Sequence, residues 1–177
     1  MDNKLLKIYE LLRSISKKLV LVTYVLLLAS TVFIVIGVIM RYIFKQPILG
    51  DVELIEIAMA LLVFSAFAYT QTEKGHIHVL MVLNMLPKKL GLAIFGINGL
   101  IVAVASGAIT YGFFLQGNYA MQRNLISAML HIPSYPSYFF AFVCMLLFTL
   151  VLLMDAIISL AGIGNKRLAE YVQKDWA

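Results

Sequence analysis

Four stretches of the chain are apolar almost without interruption: Leu19–Met40, about Leu54–Thr72, about Leu90–Leu115 and about Ser137–Ile163. Each is long enough to cross a bilayer, which takes roughly 20 residues of helix. Within a bilayer a segment must satisfy its own backbone hydrogen bonds, so it is a helix or part of a closed barrel. These runs are continuous rather than alternating, and the pattern therefore predicts four membrane-spanning helices. The first run carries no formal charge. The second has Glu56 in its first turn, and the fourth has Asp155 near its far end. The first run is longer than the h-region of a signal peptide and ends Gly-Val-Ile-Met-Arg-Tyr, so it reads as an uncleaved span.

The segments between the runs carry pattern too. In residues 4–19, Leu5, Ile8, Leu12, Ile15 and Leu19 recur at helical spacing, with Lys4, Lys7, Glu10, Arg13, Lys17 and Lys18 around them. Residues 1–18 are therefore expected to form an amphipathic helix on the membrane surface that leads into the first span. His76–Leu86 is too apolar for a free loop and too short to span, and predicts a short interfacial or re-entrant segment before Pro87-Lys88-Lys89. The expected architecture is an all-α membrane protein, a single membrane domain over 1–177, with residues 164–177 as a tail.

Composition agrees with this reading. Hydrophobic residues make up 62% and charged residues 13% of 177, and the mean hydropathy is +0.94. Soluble domains are about half apolar and a quarter charged, so that class is excluded. The net charge of +5 sits in the gaps between apolar runs, which is a topology signal and not a nucleic-acid-binding one. The N-terminal tail, the second loop and the C-terminal tail hold eleven of the fourteen Lys and Arg residues. The first and third loops hold Arg41, Lys45 and Arg123. Cytoplasmic residues carry the positive excess, so both termini are expected in the cytoplasm.

Redox chemistry finds no support. His76 and His78 follow the second span and His131 precedes the fourth, so no two can face each other across a haem within the bilayer. The single cysteine, Cys144, lies among Phe142, Val143, Met145 and Leu146, where an inert thiol is expected. No catalytic, cofactor-binding or metal-binding residue is assigned. Buried charge usually marks a transport path. Here Glu56 starts its helix, Arg41 ends the first span, and Asp155 lies 18 residues beyond Ser137, about 27 Å of helix rise. The middle of the membrane holds no acid, lysine or arginine, and the first span lacks the embedded acid of small multidrug exporters. The chain is poorly equipped to move a charged solute alone.

What it offers is adhesive surface. Gly99, Ala103 and Gly107 make a flat ridge along the third span, suited to close helix approach. The ridge serves either the chain's own bundle or a partner. Arg41 ends the first span near where Glu53 and Glu56 begin the second, so an Arg41 pair with one of these glutamates is expected. The alternative is that the carboxylates face a partner protein.

These residues also carry a resemblance. Gly37-Val-Ile-Met-Arg41-Tyr42-Ile-Phe44-Lys-Gln-Pro47, followed by Glu53, resembles the GVxxRYxFxxP segment and downstream acid of the DctQ family, the small membrane subunit of TRAP transporters. Gly75-His76-Ile77-His78-Val79 after the second span is similar to the family's glycine and His-Ile-x-Val segment. Leu130-His131-Ile132-Pro133-Ser134-Tyr135 is similar to its Leu-x-Ile-Pro segment with following aromatics. Three positions depart from the pattern: Gly50 stands where Trp is frequent, Val52 where a second acid is frequent, and Leu80 where Asp is frequent.

The resemblance implies a small subunit of a sodium-coupled importer in a bacterial or archaeal inner membrane. Its partners would be a large multi-span elevator subunit and a periplasmic binding protein that delivers an organic acid, such as a C4-dicarboxylate or sialic acid. This chain would brace the large subunit, with Arg41, Tyr42, the acidic Asp51–Glu56 stretch and Tyr135/Tyr138 anchoring its outer edge in phospholipid, and the N-terminal helix and Lys88/Lys89 anchoring the inner one. The rival expectation is a stand-alone assembly or anchor subunit with no role in transport.

Overall fold

The computed structural model describes residues 2–72 and 87–164. The expected segment at His76–Leu86, including His76 itself, and the tail from residue 165 lie outside the described residues. Four helices follow in order: α1, Asp2–Tyr42; α2, Asp51–Thr72; α3, Lys88–Gln122; and α4, Tyr135–Gly162. All four are long and apolar enough to cross a membrane.

α1 is a single helix of 41 residues, about 60 Å long and twice the hydrocarbon thickness. The amphipathic stretch and the first span are therefore continuous, with no break at residue 18. Of the apolar stripe, Leu12 and Leu19 are half-buried, and Leu12 packs beside the buried Tyr9 cluster. The buried positions are Tyr9, Ser16, Thr23, Ser30 and Gly37, spaced by seven, while Ile8 and Ile15 are exposed. A strict seven-residue repeat keeps one face against a neighbour at a shallow left-handed crossing. From Thr23 to Gly37 that neighbour is α2, running antiparallel, while Tyr9 packs on α3 and α4. Thr23 Oγ1 lies 2.6 Å from Ser65 Oγ, and a Cβ placed on Gly37 would sit 3.7 Å from Asp51 Oδ2. Fourteen residues separate these contacts on each helix, so the register holds over two heptads. The hydroxyls also donate to their own helix, Ser30 to Leu26 O at 2.7 Å and Ser65 to Leu62 O at 2.9 Å. A hydroxyl satisfied in this way can lie in an apolar seam at little cost.

α4 is the centre of the molecule and packs on α3, α2 and, less extensively, α1. Its seam with α3 is the closest. A Cβ on Gly96 would fall 2.6 Å from Leu160 Cγ, and one on Gly99 would fall 3.2 Å from Ala156 Cβ. Ala103 is buried, and Gly107 looks onto Thr149. The Gly99/Ala103/Gly107 ridge thus serves the bundle, on α4. Toward the end of the same seam expected to face outward, Ser106, Thr110 and Thr149 share their hydroxyls at 3.1–3.2 Å. Mid-membrane polar atoms here are matched to one another, as helix association without a hydrophobic driving force favours.

Between α2, α3 and α4 the core is aromatic. Phe64 meets Phe113 edge-on at 4.8 Å, and Phe67 lies 5.6 Å from Phe148. At the opposite end, the one expected to face the cytoplasm, Tyr9 joins Leu92, Val151 and Ile158 in a second buried cluster. There the Gln71 amide donates to Asp155 Oδ2 at 2.9 Å, with both side chains buried.

Candidate functional site

At the end of the bundle expected to face outward, Arg41, Asp51 and Glu53 meet where two loops interlock. α1 ends at Tyr42, and the chain turns back through Lys45 and Gly50, both with positive φ. Gly50 has φ +78°, and a Cβ on it would lie 2.4 Å from Leu130 Cγ. The Leu130 side chain therefore occupies the space that any other residue at 50 would need. Where the family pattern often has Trp, this chain has the residue that both the dihedral and the neighbour require.

That turn aims the acids of α2 in two directions. Asp51 opens the helix toward α1, and its Oδ2 accepts a 2.7 Å hydrogen bond from Arg41 Nη2. Its other oxygen accepts the Val52 N–H at 2.8 Å, as suits an acid in a helix's first turn. Glu53 is two residues on, about 200° around the helix, and points the opposite way. The expected partner of Arg41 is therefore corrected: it is Asp51, and neither Glu53 nor Glu56. The Arg41 side chain is 53% exposed, so this pair contributes about 0–1 kcal/mol.

Glu53 instead grips the loop between α3 and α4. Its Oε1 accepts the Met129 N–H at 2.7 Å, and its Oε2 accepts the Leu130 N–H at 2.9 Å. Glu53 lies just outside the apolar run, and these amides, Leu130 foremost, hold its carboxyl below the usual range. The loop it grips has its own fold. Ile126 and Pro133 face each other as an antiparallel bridge, closed by Ser127 N–H to Ile132 O and Ser134 N–H to Leu125 O, both at 2.9 Å. Both bonds flank Pro133, so its missing N–H is not needed there. His131, at φ +53°, makes the tip, with Nδ1 3.2 Å from Met129 O.

The structure thus brings Arg41, Asp51, Glu53 and the Leu130–Pro133 segment into one assembly that ties the two outer loops together. Glu56 lies one turn further into α2 and lines a cleft described below. Tyr42 and Pro47 are exposed on the near loop, and Arg123 stacks 5.8 Å from the Tyr119 ring on the far one. Sequence reasoning missed the Met129 and Leu130 amides, which leave no mark in residue type. It also missed Gln71, although a polar residue ending an apolar run was visible.

These features define a small multi-pass helical membrane protein in which Arg41, Asp51 and Glu53 fasten one end of the bundle. A family model for the DctQ component of tripartite ATP-independent periplasmic transporters matches residues 30–162. The chain belongs to that family. No curated protein and no solved structure gives a significant match. The chain is accordingly the small membrane component of such a transporter, an inner-membrane protein that works with a large membrane subunit and a binding protein.

Proposed function

We propose that this chain is the fixed scaffold beside which the large subunit moves an organic acid inward, driven by a sodium gradient, after a periplasmic protein delivers it. One observation carries the reading. Among the described residues, Arg41, Asp51 and Glu53 fasten the loops at one end of the helices, while the buried hydroxyls of Thr23, Ser65, Ser106, Thr110 and Thr149 at membrane depth are hydrogen-bonded within their own bundle. A carboxylate solute needs a cation or a helix N-terminus along its path, and among the described residues neither stands at the middle of the spans. A scaffold, in contrast, needs rigidity and anchorage. The interlocked outer loops stiffen one edge. The long α1, with Lys7, Lys17 and Lys18 near its start and exposed Ile8, Leu11 and Ile15, suits anchorage in phospholipid at the other. On this reading the basic residues meet lipid headgroups and take no part in nucleic-acid binding. The solute is a carboxylate of the C4-dicarboxylate or sialic acid type by family resemblance.

A kinetic test follows. Glu53→Ala releases the α3–α4 loop without touching a solute path. In the whole transporter it should lower maximal uptake several-fold and leave the half-saturating solute concentration and the order of competing acids unchanged. A changed order would place this chain in the solute site.

Orientation follows from the charge bias, with both termini cytoplasmic. In a Cys144→Ser background, Gln46→Cys should react with a membrane-impermeant maleimide on intact cells. Lys7→Cys should react only after the membrane is opened. The reverse pattern would invert the topology.

A further inference from the structure

Beneath the α3–α4 loop, a cleft of about 410 Å³ opens between α2, α3 and α4. Its mouth carries Glu56, Ser137 and Tyr138, at the level where α2 and α4 begin. Below them the walls turn apolar at Ile57 and Ala60, and the floor is the Phe64–Phe113 contact. From Glu56 to Phe64 the slot descends eight residues of helix, about 12 Å. Glu53 also borders the mouth, but both of its oxygens are taken by loop amides. Glu56 is exposed, and among the described residues it forms no ion pair or hydrogen bond.

We propose that this cleft binds one phospholipid with a primary-amine headgroup, of the phosphatidylethanolamine type. The Glu56 carboxylate takes the ammonium, the hydroxyls of Ser137 and Tyr138 donate to the phosphate, and one acyl chain runs down the slot to Phe64 and Phe113. The order of chemistry along the slot argues for this occupant. A carboxylate at headgroup level complements an ammonium and repels a lipid with net negative charge. The apolar part lies deeper than a lysine or arginine side chain from a docked protein would reach, and an acyl chain fills it. Aromatic side chains at the floor end the slot near the middle of the membrane, as a chain terminus requires. The lipid would wedge α2 against α3, two helices that otherwise meet chiefly through those rings. This inference is independent of whether the chain acts as a scaffold.

The test uses the complex of this chain with its large subunit, purified and delipidated, then mixed with phosphatidylethanolamine or phosphatidylglycerol of identical acyl chains. Native mass spectrometry reads the lipids retained. The wild type should retain phosphatidylethanolamine roughly two- to fivefold better than phosphatidylglycerol at one site, the scale of a partly exposed ion pair. Glu56→Gln, an exposed change that leaves the fold intact, should erase that preference. Glu56→Lys should reverse it. Ala60→Phe, which fills the slot, should remove one bound lipid of either kind. The proposal is overturned if Glu56→Gln retains the wild-type preference. It is equally overturned if Glu56→Gln leaves lipid retention unchanged and instead weakens capture of the periplasmic binding protein, because the carboxylate then serves a basic side chain of that protein.

Discussion

Gly99→Leu should leave little of this subunit in the membrane. A Cβ at 99 already meets Ala156 Cβ at 3.2 Å, closer than almost any real contact, and leucine adds three more carbons beyond it. Overpacking a tight interior costs about 1–3 kcal/mol. The α3–α4 seam is the most extensive in the molecule, and backbone lies directly behind Ala156, so the upper end of that range applies. Gly112 on the same helix is the control, since a Cβ there meets nothing within 4 Å. Gly112→Leu should accumulate like wild type. Quantifying both variants in membranes checks the prediction, and equal loss of the two would show that α3 is sensitive to bulk anywhere.

Gly50→Val should undo the outer edge. The left-handed backbone at Gly50 costs a side-chain-bearing residue about 1–2 kcal/mol, and valine, branched at Cβ, is among the worst suited. The new carbons also fall on the Leu130 side chain, 2.4–2.8 Å from the Cβ position. Leu130 must then leave, and its amide moves off Glu53. The expected result is rapid protease cleavage within residues 124–134 from the outer side, with α4 still in the membrane. Gly50→Asn, which tolerates the left-handed region but still displaces Leu130, should fall between valine and wild type. If Gly50→Val leaves the loop as resistant as wild type, the interlock does not hold it.

The four spans were legible because uninterrupted apolar length has one solution in a bilayer. The ends of α2 and α4 followed from the polar residues that bound them, whereas α3 runs well beyond its apolar run, to Gln122, and α1 runs back without a break to Asp2. The Arg41 partner was not legible. Sequence reasoning pointed to Glu53 or Glu56 and passed over Asp51, because nearness along the chain does not show which acid faces α1; the choice was made by the turn at Gly50, which sets the rotation of α2. The seven-residue spacing of Ser16, Thr23, Ser30 and Gly37 was present in the sequence, but small hydroxyl residues in an apolar run read as background until a partner helix picks out their face. The direction of the Gly99 ridge was undetermined for the complementary reason: a flat surface indicates close packing without saying against what. The grip of Glu53 on backbone amides could not be read at all, since every residue but proline has one.

The central claim is that this chain is required for transport and provides no path for the solute. Uptake of a radiolabelled organic acid into proteoliposomes under an imposed inward sodium gradient tests it most directly, with the periplasmic binding protein present outside. Vesicles with the large subunit alone should show background uptake, those with this chain alone should show background uptake, and those with both should accumulate the acid. Sodium-dependent accumulation by vesicles that hold this chain alone, or undiminished uptake by the large subunit without it, would contradict the account.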